Sequence, residues 1–330
     1  MSITIRPYVR GDDEALRADI VNRAYGDRVD HVPLTVEDVK RWDESPQEGS
    51  RHRFIAELDG VPVGSGFASA DPGQDQKKGF IDGPGVIPEH RRKGVGTALV
   101  RTFFDDLRQR GMERVEVQEM DRPDINGFLA TFGFKPVRSF SEMVRSLDSV
   151  PHDPGEPGRV ELALAELTDA NLAAIIDIKN EAFKEHYNHR QATIEQLRFM
   201  VRAVVEEGTV SHVLMAKLDG TPVGYLWYGY DQREIVQLKQ KRGGLWDLGV
   251  LKPFRRRGVA GALLIAAMQH LKSDGMEKAW LYVDDMNLTS ARRLYEHLGF
   301  TVLHRDLVHG MELPNPVSTT TTIDRRPGLG

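Results

Sequence analysis

The feature that most constrains this chain is that it is written twice. Leu58-Asp59-Gly60-x-Pro62-Val63-Gly64 returns as Leu218-Asp219-Gly220-x-Pro222-Val223-Gly224, an offset of 218 − 58 = 160. Asn22-x-Ala24 and Thr35-x-Glu37 return at 158 as Asn180-x-Ala182 and Thr193-x-Glu195. Gly111-Met112-Glu113 matches Gly275-Met276-Glu277 at 164, and Gly133-Phe134 matches Gly299-Phe300 at 166. The offset only climbs, as it does when a second copy gains small loop insertions. A repeat this long marks a duplicated domain, and 330 residues suit two domains of about 150 better than one core. The expected layout is a first domain at 1–147, a linker at 148–158 and a second domain at 159–313. The linker carries three prolines and two glycines, and a tail at 314–330 is expected to be disordered.

Each copy reads in the same order of elements. Ile3 to Pro7 is a short strand, and Gly11-Asp12-Asp13 offers cap chemistry for a helix through Leu16, Ile20 and Ala24. Thr35 with Asp38 opens a second helix. Asp59-Gly60 between apolar runs signals a hairpin, because both residues tolerate positive φ. A strand ending Gly85-Val86-Ile87 precedes a basic turn and a helix through Leu99 and Phe103. Strand Arg114 to Glu119, helix Ile125 to Phe132 and a closing hairpin from Phe134 to Leu147 follow. The second copy repeats this, with helices predicted at 169–183, 194–206, 259–272 and 288–298 and a last strand pair to Leu313.

The basic turn carries the first chemistry. In the second copy it is Arg255-Arg256-Arg257-Gly258-Val259-Ala260-Gly261, after a strand ending Gly249-Val250; in the first it is Arg91-Arg92-Lys93-Gly94-Val95-Gly96, after Gly85-Val86. The first-turn N–H groups of a helix have no internal partner, and the helix dipole adds partial positive charge there. A glycine lets a ligand approach the backbone, so each turn is suited to hold a pyrophosphate. Neither turn is a P-loop, which needs Gly-x-x-x-x-Gly-Lys-Ser/Thr, nor the Gly-x-Gly-x-x-Gly of a dinucleotide fold.

Arg-x-x-Gly-x-Ala after a strand ending Gly-Val resembles the acetyl-CoA loop of the GNAT superfamily of N-acetyltransferases, and here it occurs twice. The tandem layout is similar to that of the mycothiol synthase type of enzyme. The resemblance implies an α/β (α+β) fold of two domains, each a mixed, mostly antiparallel sheet with helices on both faces. Its two central parallel strands splay apart, and acetyl-CoA enters the gap. It also implies that Val250, with Val86 in the first copy, lies where a backbone N–H polarises the acetyl carbonyl.

Further along the second copy runs Asn287-x-x-Ser290-Ala291-x-x-x-Tyr295. In the family an asparagine at this place contacts the pantetheine arm, with Ser290 beside it, and the tyrosine lies next to the thioester sulfur. A phenol with pKa of about 10 is able to protonate a departing thiolate, so Tyr295 is the expected acid. The first copy has Leu129 and Asp121 at the corresponding positions, 166 residues earlier. Its donor loop is intact but its acid is missing, so it is expected to be catalytically impaired. The acceptor amine must lose a proton, and Asp247 on the central strand is the expected base, with Glu181 as second candidate. The glutamate some relatives place eleven residues before the loop arginine is replaced here by Gly244. Glu181, Phe183, His186, Tyr187 and Tyr228 are expected to line the acceptor pocket, with Trp227 a further conspicuous residue there.

Composition narrows the partners. A net charge of −5 speaks against a general nucleic-acid binder, and no apolar run reaches the roughly 18 residues of a membrane span. The absence of cysteine excludes thiol catalysis and zinc-thiolate sites. His186 and His189 have no evident third ligand, so no metal is expected. The expectation is a cytoplasmic enzyme that moves acetyl from acetyl-CoA to a primary amine of a small molecule by direct attack in a ternary complex. The alternative is an acetyl-CoA-binding regulator without turnover. Nothing in the sequence bears on oligomeric state.

Overall fold

The computed structural model describes residues 1–28, 31–46, 48–70, 77–151, 160–286 and 291–313. By proximity of α-carbons the chain divides into two compact units, Met1–Val137 with Val308–Gly330, and Arg138–Leu307. The units are therefore not the contiguous stretches 1–147 and 159–313.

In unit 1, β1 (Ile3–Pro7), β2 (Arg51–Leu58), β3 (Val61–Ala70) and β4 (Lys78–Val86) pair antiparallel in that order, and β5 (Arg114–Met120) joins β4 in parallel. Helices α1 (Glu14–Tyr25) and α2 (Val36–Asp43) cover one face, and α3 (Val95–Gln109) covers the other. The main core lies under α3, where Leu99, Phe103 and Leu107 are fully buried against Ala56, Val63 and Val115. α4 (Pro123–Ala130) starts two residues ahead of the predicted helix, because Pro123 is preorganised for the first turn. The hairpin turn at Asp59-Gly60 has φ of 51° and 81°. Thr35 closes the expected capping box with Asp38. Asp13 does precede α1, but its carboxylate is held by Arg6 and does not cap the helix.

Unit 2 repeats the plan. β7 (Glu161–Leu164), β8 (Thr209–Leu218), β9 (Thr221–Asp231) and β10 (Arg242–Val250) pair antiparallel, and β11 (Lys278–Asp284) joins β10 in parallel. α5 (Asp169–Phe183) and α6 (Ile194–Glu206) cover one face; α7 (Val259–Ser273) and α8 (Ala291–His297) cover the other. Thr168 and Thr193 cap α5 and α6 through the N–H groups of Asn171 and Gln196.

The stretch 134–147 is not a hairpin. It forms one strand, β6 (Lys135–Ser146), which from Arg138 on belongs to unit 2 and pairs antiparallel with β11. The stretch to Leu313 likewise forms one strand, β12 (Thr301–Glu312), whose residues from Val308 on belong to unit 1; Leu313 N–H bonds Glu113 O there at 2.8 Å. Neither stretch contains a turn dipeptide of the Asn-Gly or Asp-Gly kind that would fold it back. Each copy thus contributes part of its last strand to the other unit, β6 from Arg138 on and β12 from Val308 on.

Candidate active site

The site is made by two strands that part company. β10 and β11 are paired only over Arg242–Gly244 and Lys278–Trp280. Beyond that point β10 stays on β9 as far as Val250, and β11 stays on β6 as far as Asp284. The far end of β11 is anchored: Arg138 grips Asp284 at 2.5–3.0 Å, and the Ser139 and Ser141 hydroxyls donate to Asp285 at 2.7 Å. On the other side, Trp246 is an extra residue in β10, a bulge between Leu245 and Asp247 that turns the strand away.

Leu251 N–H bonds Val223 O at 2.9 Å. In an antiparallel pair alternate residues bond to the same neighbour, so the N–H and C=O of Val250 point away from β9 and toward the gap. The Val250 carbonyl accepts from Arg255 Nε at 3.0 Å, leaving its N–H as the donor on that edge.

The loop behind the gap folds as its residue pattern dictates. Gly258 takes φ of 82° and Arg256 of 63°, and α7 begins without a side-chain cap. The first bond of the helix runs from Ala262 N–H to Gly258 O, so the N–H groups of Val259, Ala260 and Gly261 are open. That open first turn fits a pyrophosphate. Arg256 and Arg257 are exposed beside it, Arg257 resting over the Phe254 ring at 5.5 Å. Arg255 instead braces the loop. Its guanidinium donates to the carbonyls of Val250 and of Ala182 (2.9 Å), tying the loop to β10 and α5.

Unit 1 copies this arrangement. Arg91 donates to Val86 O at 3.1 Å and to Ala24 O at 2.7 Å, Arg92 and Gly94 take φ of 62° and 86°, and β4 and β5 pair only over Lys78–Phe80. Arg92 and Lys93 are exposed, Val95 is buried, and a Cβ added to Gly96 would lie 3.3 Å from Pro84 and 3.4 Å from Phe128.

Tyr295 is buried in α8 with its ring edge-on to Phe300, and burial pushes its phenol up to about 12. Leu129 in unit 1 is likewise buried. Asn287 and Ser290 lie outside the described residues.

On the α5–α6 face of unit 2 lies a cavity of about 490 Å³, its walls including Ile175, Lys179, Trp227, Trp246, Asp247 and Trp280. Asp247 accepts from Lys179 Nζ at 2.5 Å, and the same ammonium stands 5.0 Å from the Phe183 ring. Phe183 in turn packs on His186, with ring centroids 4.6 Å apart. Burial, and then Arg255, hold His186 below the ordinary imidazole range. Tyr187 lies under the Arg138 guanidinium at 4.3 Å. Tyr225 also faces this side, and burial, followed by the charge of Asp247, raises its hydroxyl well above the usual phenol range.

Two expected pocket residues stand elsewhere. Tyr228 is on the opposite face, fully buried in the α7 core and bonded to His270 Nδ1 at 2.6 Å, because alternation along β9 gives the cavity to Trp227 instead. Glu181 is exposed and paired with Lys184 at 2.6 Å on the outside of α5. Lys179 and the two further tryptophans, Trp246 and Trp280, were not anticipated. The signal for Lys179 was present: Ile175, Lys179 and Phe183 follow each other at four-residue spacing on one helical stripe.

Comparison with known proteins bears on this geometry. The family model for the acetyltransferase (GNAT) family matches residues 18–134 and again 172–300. Mycothiol acetyltransferase of Thermobispora bispora is 28% identical over 303 residues, covering 91% of this chain and 97% of that protein. The enzyme of that name from Gordonia bronchialis is 27% identical, covering 84% of this chain and 85% of its own. Among solved structures, a tandem GNAT protein from the clavulanic acid biosynthesis pathway superposes with a TM-score of 0.75 at 15% identity, covering 96% of this chain and all of that one. A GCN5-related N-acetyltransferase from Sphaerobacter thermophilus gives 0.65 at 23% identity, covering 97% and 98%.

Proposed function

The chain belongs to the acetyltransferase (GNAT) family and is an N-acetyltransferase with acetyl-CoA as donor, and from that premise we propose that unit 2 carries the reaction, transferring acetyl to a primary amine of a small molecule by direct attack in a ternary complex. What supports the reading is that the Val250 N–H edge and the open first turn of α7 lie together at the gap, tied by Arg255, with Asp247 in the cavity on the α5–α6 face.

When bound, acetyl-CoA supplies an activated acetyl group and a thiolate leaving group. The N–H groups of Val259, Ala260 and Gly261 receive its diphosphate, with Arg256 and Arg257 adding charge. The Val250 N–H stabilises negative charge on the acetyl oxygen. Asp247 takes a proton from the incoming ammonium, directly or through one water. Tyr295 stays protonated to high pH and gives its proton to the departing sulfur. Asp247 stands in for the glutamate absent at Gly244. The three tryptophans of the cavity suit an acceptor with an apolar or ring-shaped body beside its amine. The mycothiol acetyltransferases align over most of both chains, so mycothiol-related amines belong among the amines to be tried.

In unit 1, Leu129 has no proton to give, so this unit is read as impaired in turnover while keeping a donor loop. Tyr295→Phe should lower kcat by about 10²-fold or more with the acetyl-CoA dissociation constant unchanged; unchanged turnover removes Tyr295 from the mechanism. A regulator without turnover would release no free CoA with any amine.

A further inference from the structure

The bulge in β10 puts two neighbouring side chains on one wall. Along a regular strand Leu245 and Asp247 would share a face, with Trp246 on the other. Leu245 packs into the α7 core, yet Trp246 and Asp247 both line the cavity on the α5–α6 face, because the extra residue restarts the alternation. An indole and the carboxylate proposed as base therefore stand side by side.

Two glycines make room for that indole. Gly244 and Gly229 are partners across β10 and β9. A Cβ on Gly244 would collide with Trp246 Nε1 and lie 2.5 Å from its Cδ1 and 2.8 Å from its Cε2. A Cβ on Gly229 would lie 2.8 Å from its Cη2. The indole is thus laid across both strands. Its outer side is open: Trp246 is 37% exposed, and among the described residues no aromatic ring or cation packs on it. Trp280, beside Gly244 in the parallel pair, supplies a second indole wall, with the Arg242 guanidinium 5.3 Å from its ring. None of the three cavity tryptophans recurs in the first copy. Phe67, Asp82 and Glu116 stand at offsets of 160, 164 and 164 from Trp227, Trp246 and Trp280, so the fold does not require them.

The charges around this wall are already paired. Lys179 holds Asp247 at 2.5 Å, Arg242 holds Glu234 at 3.0 Å and Glu142 at 2.9 Å, and Arg233 holds Asp231 at 3.2 Å. Ile175, Leu197 and Met200 add apolar surface. The cavity offers a flat π face next to an acceptor for one amine, and each of these cations already carries a carboxylate.

We propose, resting on the reading of unit 2 as the acetylating unit, that Trp246 is its specificity-determining residue and selects an arylalkylamine. The substrate ring stacks on the open side of the indole. A short alkyl chain carries the amine to Asp247, whose carboxylate has lone pairs beyond the one Lys179 uses. An aliphatic amine of similar length loses the stacking. An aromatic amino acid brings a second carboxylate beside Asp247 where the cations are engaged, and glucosamine presses hydroxyls on indole and aliphatic walls.

The test pairs turnover with binding on the full-length protein. Release of free CoA is measured with 2-phenylethylamine, tryptamine, hexylamine, phenylalanine and glucosamine, and calorimetry follows the same amines with CoA present. The two arylalkylamines should exceed the other three by about tenfold or more in kcat/KM and in affinity. Trp246→Ala should bring 2-phenylethylamine to within about twofold of hexylamine, and Trp246→Phe should keep most of the preference. Gly244→Ala, which adds one methyl group and displaces the indole, should act like Trp246→Ala. Cooperative thermal unfolding of each variant reports that it is folded. Turnover without a preference for arylalkylamines overturns this inference and leaves the reading of unit 2 standing. Arylalkylamine binding that depends on Trp246, with no CoA released, upholds the inference for the cavity and overturns that reading. A preference that survives Trp246→Ala, or no binding of either arylalkylamine, overturns the inference.

Discussion

Asp247 and Glu181 are both carboxylates that sequence brings under suspicion, and their surroundings separate them. Asp247 lines the cavity with its charge held by Lys179, whereas Glu181 looks outward and pairs along its own helix with Lys184. Asp247→Asn should reduce kcat by about 10²- to 10⁴-fold at neutral pH, while Glu181→Gln should stay within about twofold; steady-state release of free CoA measures both. Tyr295 carries a pH signature. Its folded pKa of about 12 lies above the unfolded value of about 10, so the stability it contributes is complete below pH 10 and is lost as pH rises toward 12. Wild type should lose up to about 3 kcal/mol more than Tyr295→Phe over that window, read by urea unfolding at each pH.

At the scale of elements, small residues let a helix press on the sheet where the parallel strands are still paired. A Cβ on Gly243 of β10 would stand 2.4 Å from Leu271 Cδ2 of α7, and one on Gly79 of β4 would stand 2.4 Å from Leu107 Cδ2 of α3. Gly243→Ala therefore forces a repacking at the point where β10 and β11 are still paired. It should cost about 1–3 kcal/mol in thermal or urea unfolding and weaken acetyl-CoA binding, because α7 and the gap would shift together. Gly258 is a different kind of glycine. Nothing lies within 4 Å of its would-be Cβ, but its φ of 82° disfavours a side chain; Gly258→Ala should cost about 1–2 kcal/mol through the backbone alone. Thus the two glycines report separately on packing and on loop conformation.

For the whole molecule, the exchanged strands decide what can be cut apart. Val308 is buried, and Met311 and Leu313 pack on the unit 1 core, although they lie at the end of the second copy. Met143, from the first copy, is fully buried in the unit 2 core, and the serines that hold Asp285 come from the same strand. A piece ending at residue 147 lacks the end of β12 that packs on the unit 1 core, and a piece beginning at 159 lacks the strand that anchors β11. Neither piece should show a cooperative thermal transition by circular dichroism, whereas the full chain should.

The sequence by itself determined the elements and their duplication. Helices 169–183 and 194–206, the Asp-Gly hairpins and the glycine-led starts of α3 and α7 follow from local chemistry: caps, positive φ and apolar spacing act within a few residues. It also determined the conformation of the basic, glycine-led loops, because a turn of that kind is built from consecutive backbone atoms. What only the tertiary structure decided depends on contacts between distant segments. Which unit receives β6 and β12 is not encoded in either strand's pattern. That Arg255 and Arg91 brace the loop was settled by their hydrogen bonds to carbonyls at the ends of α5 and α1, and that Trp227 and not Tyr228 faces the cavity by alternation along β9. A single bulged residue shifts which side chain meets which, and no repeat offset records where a bulge has moved.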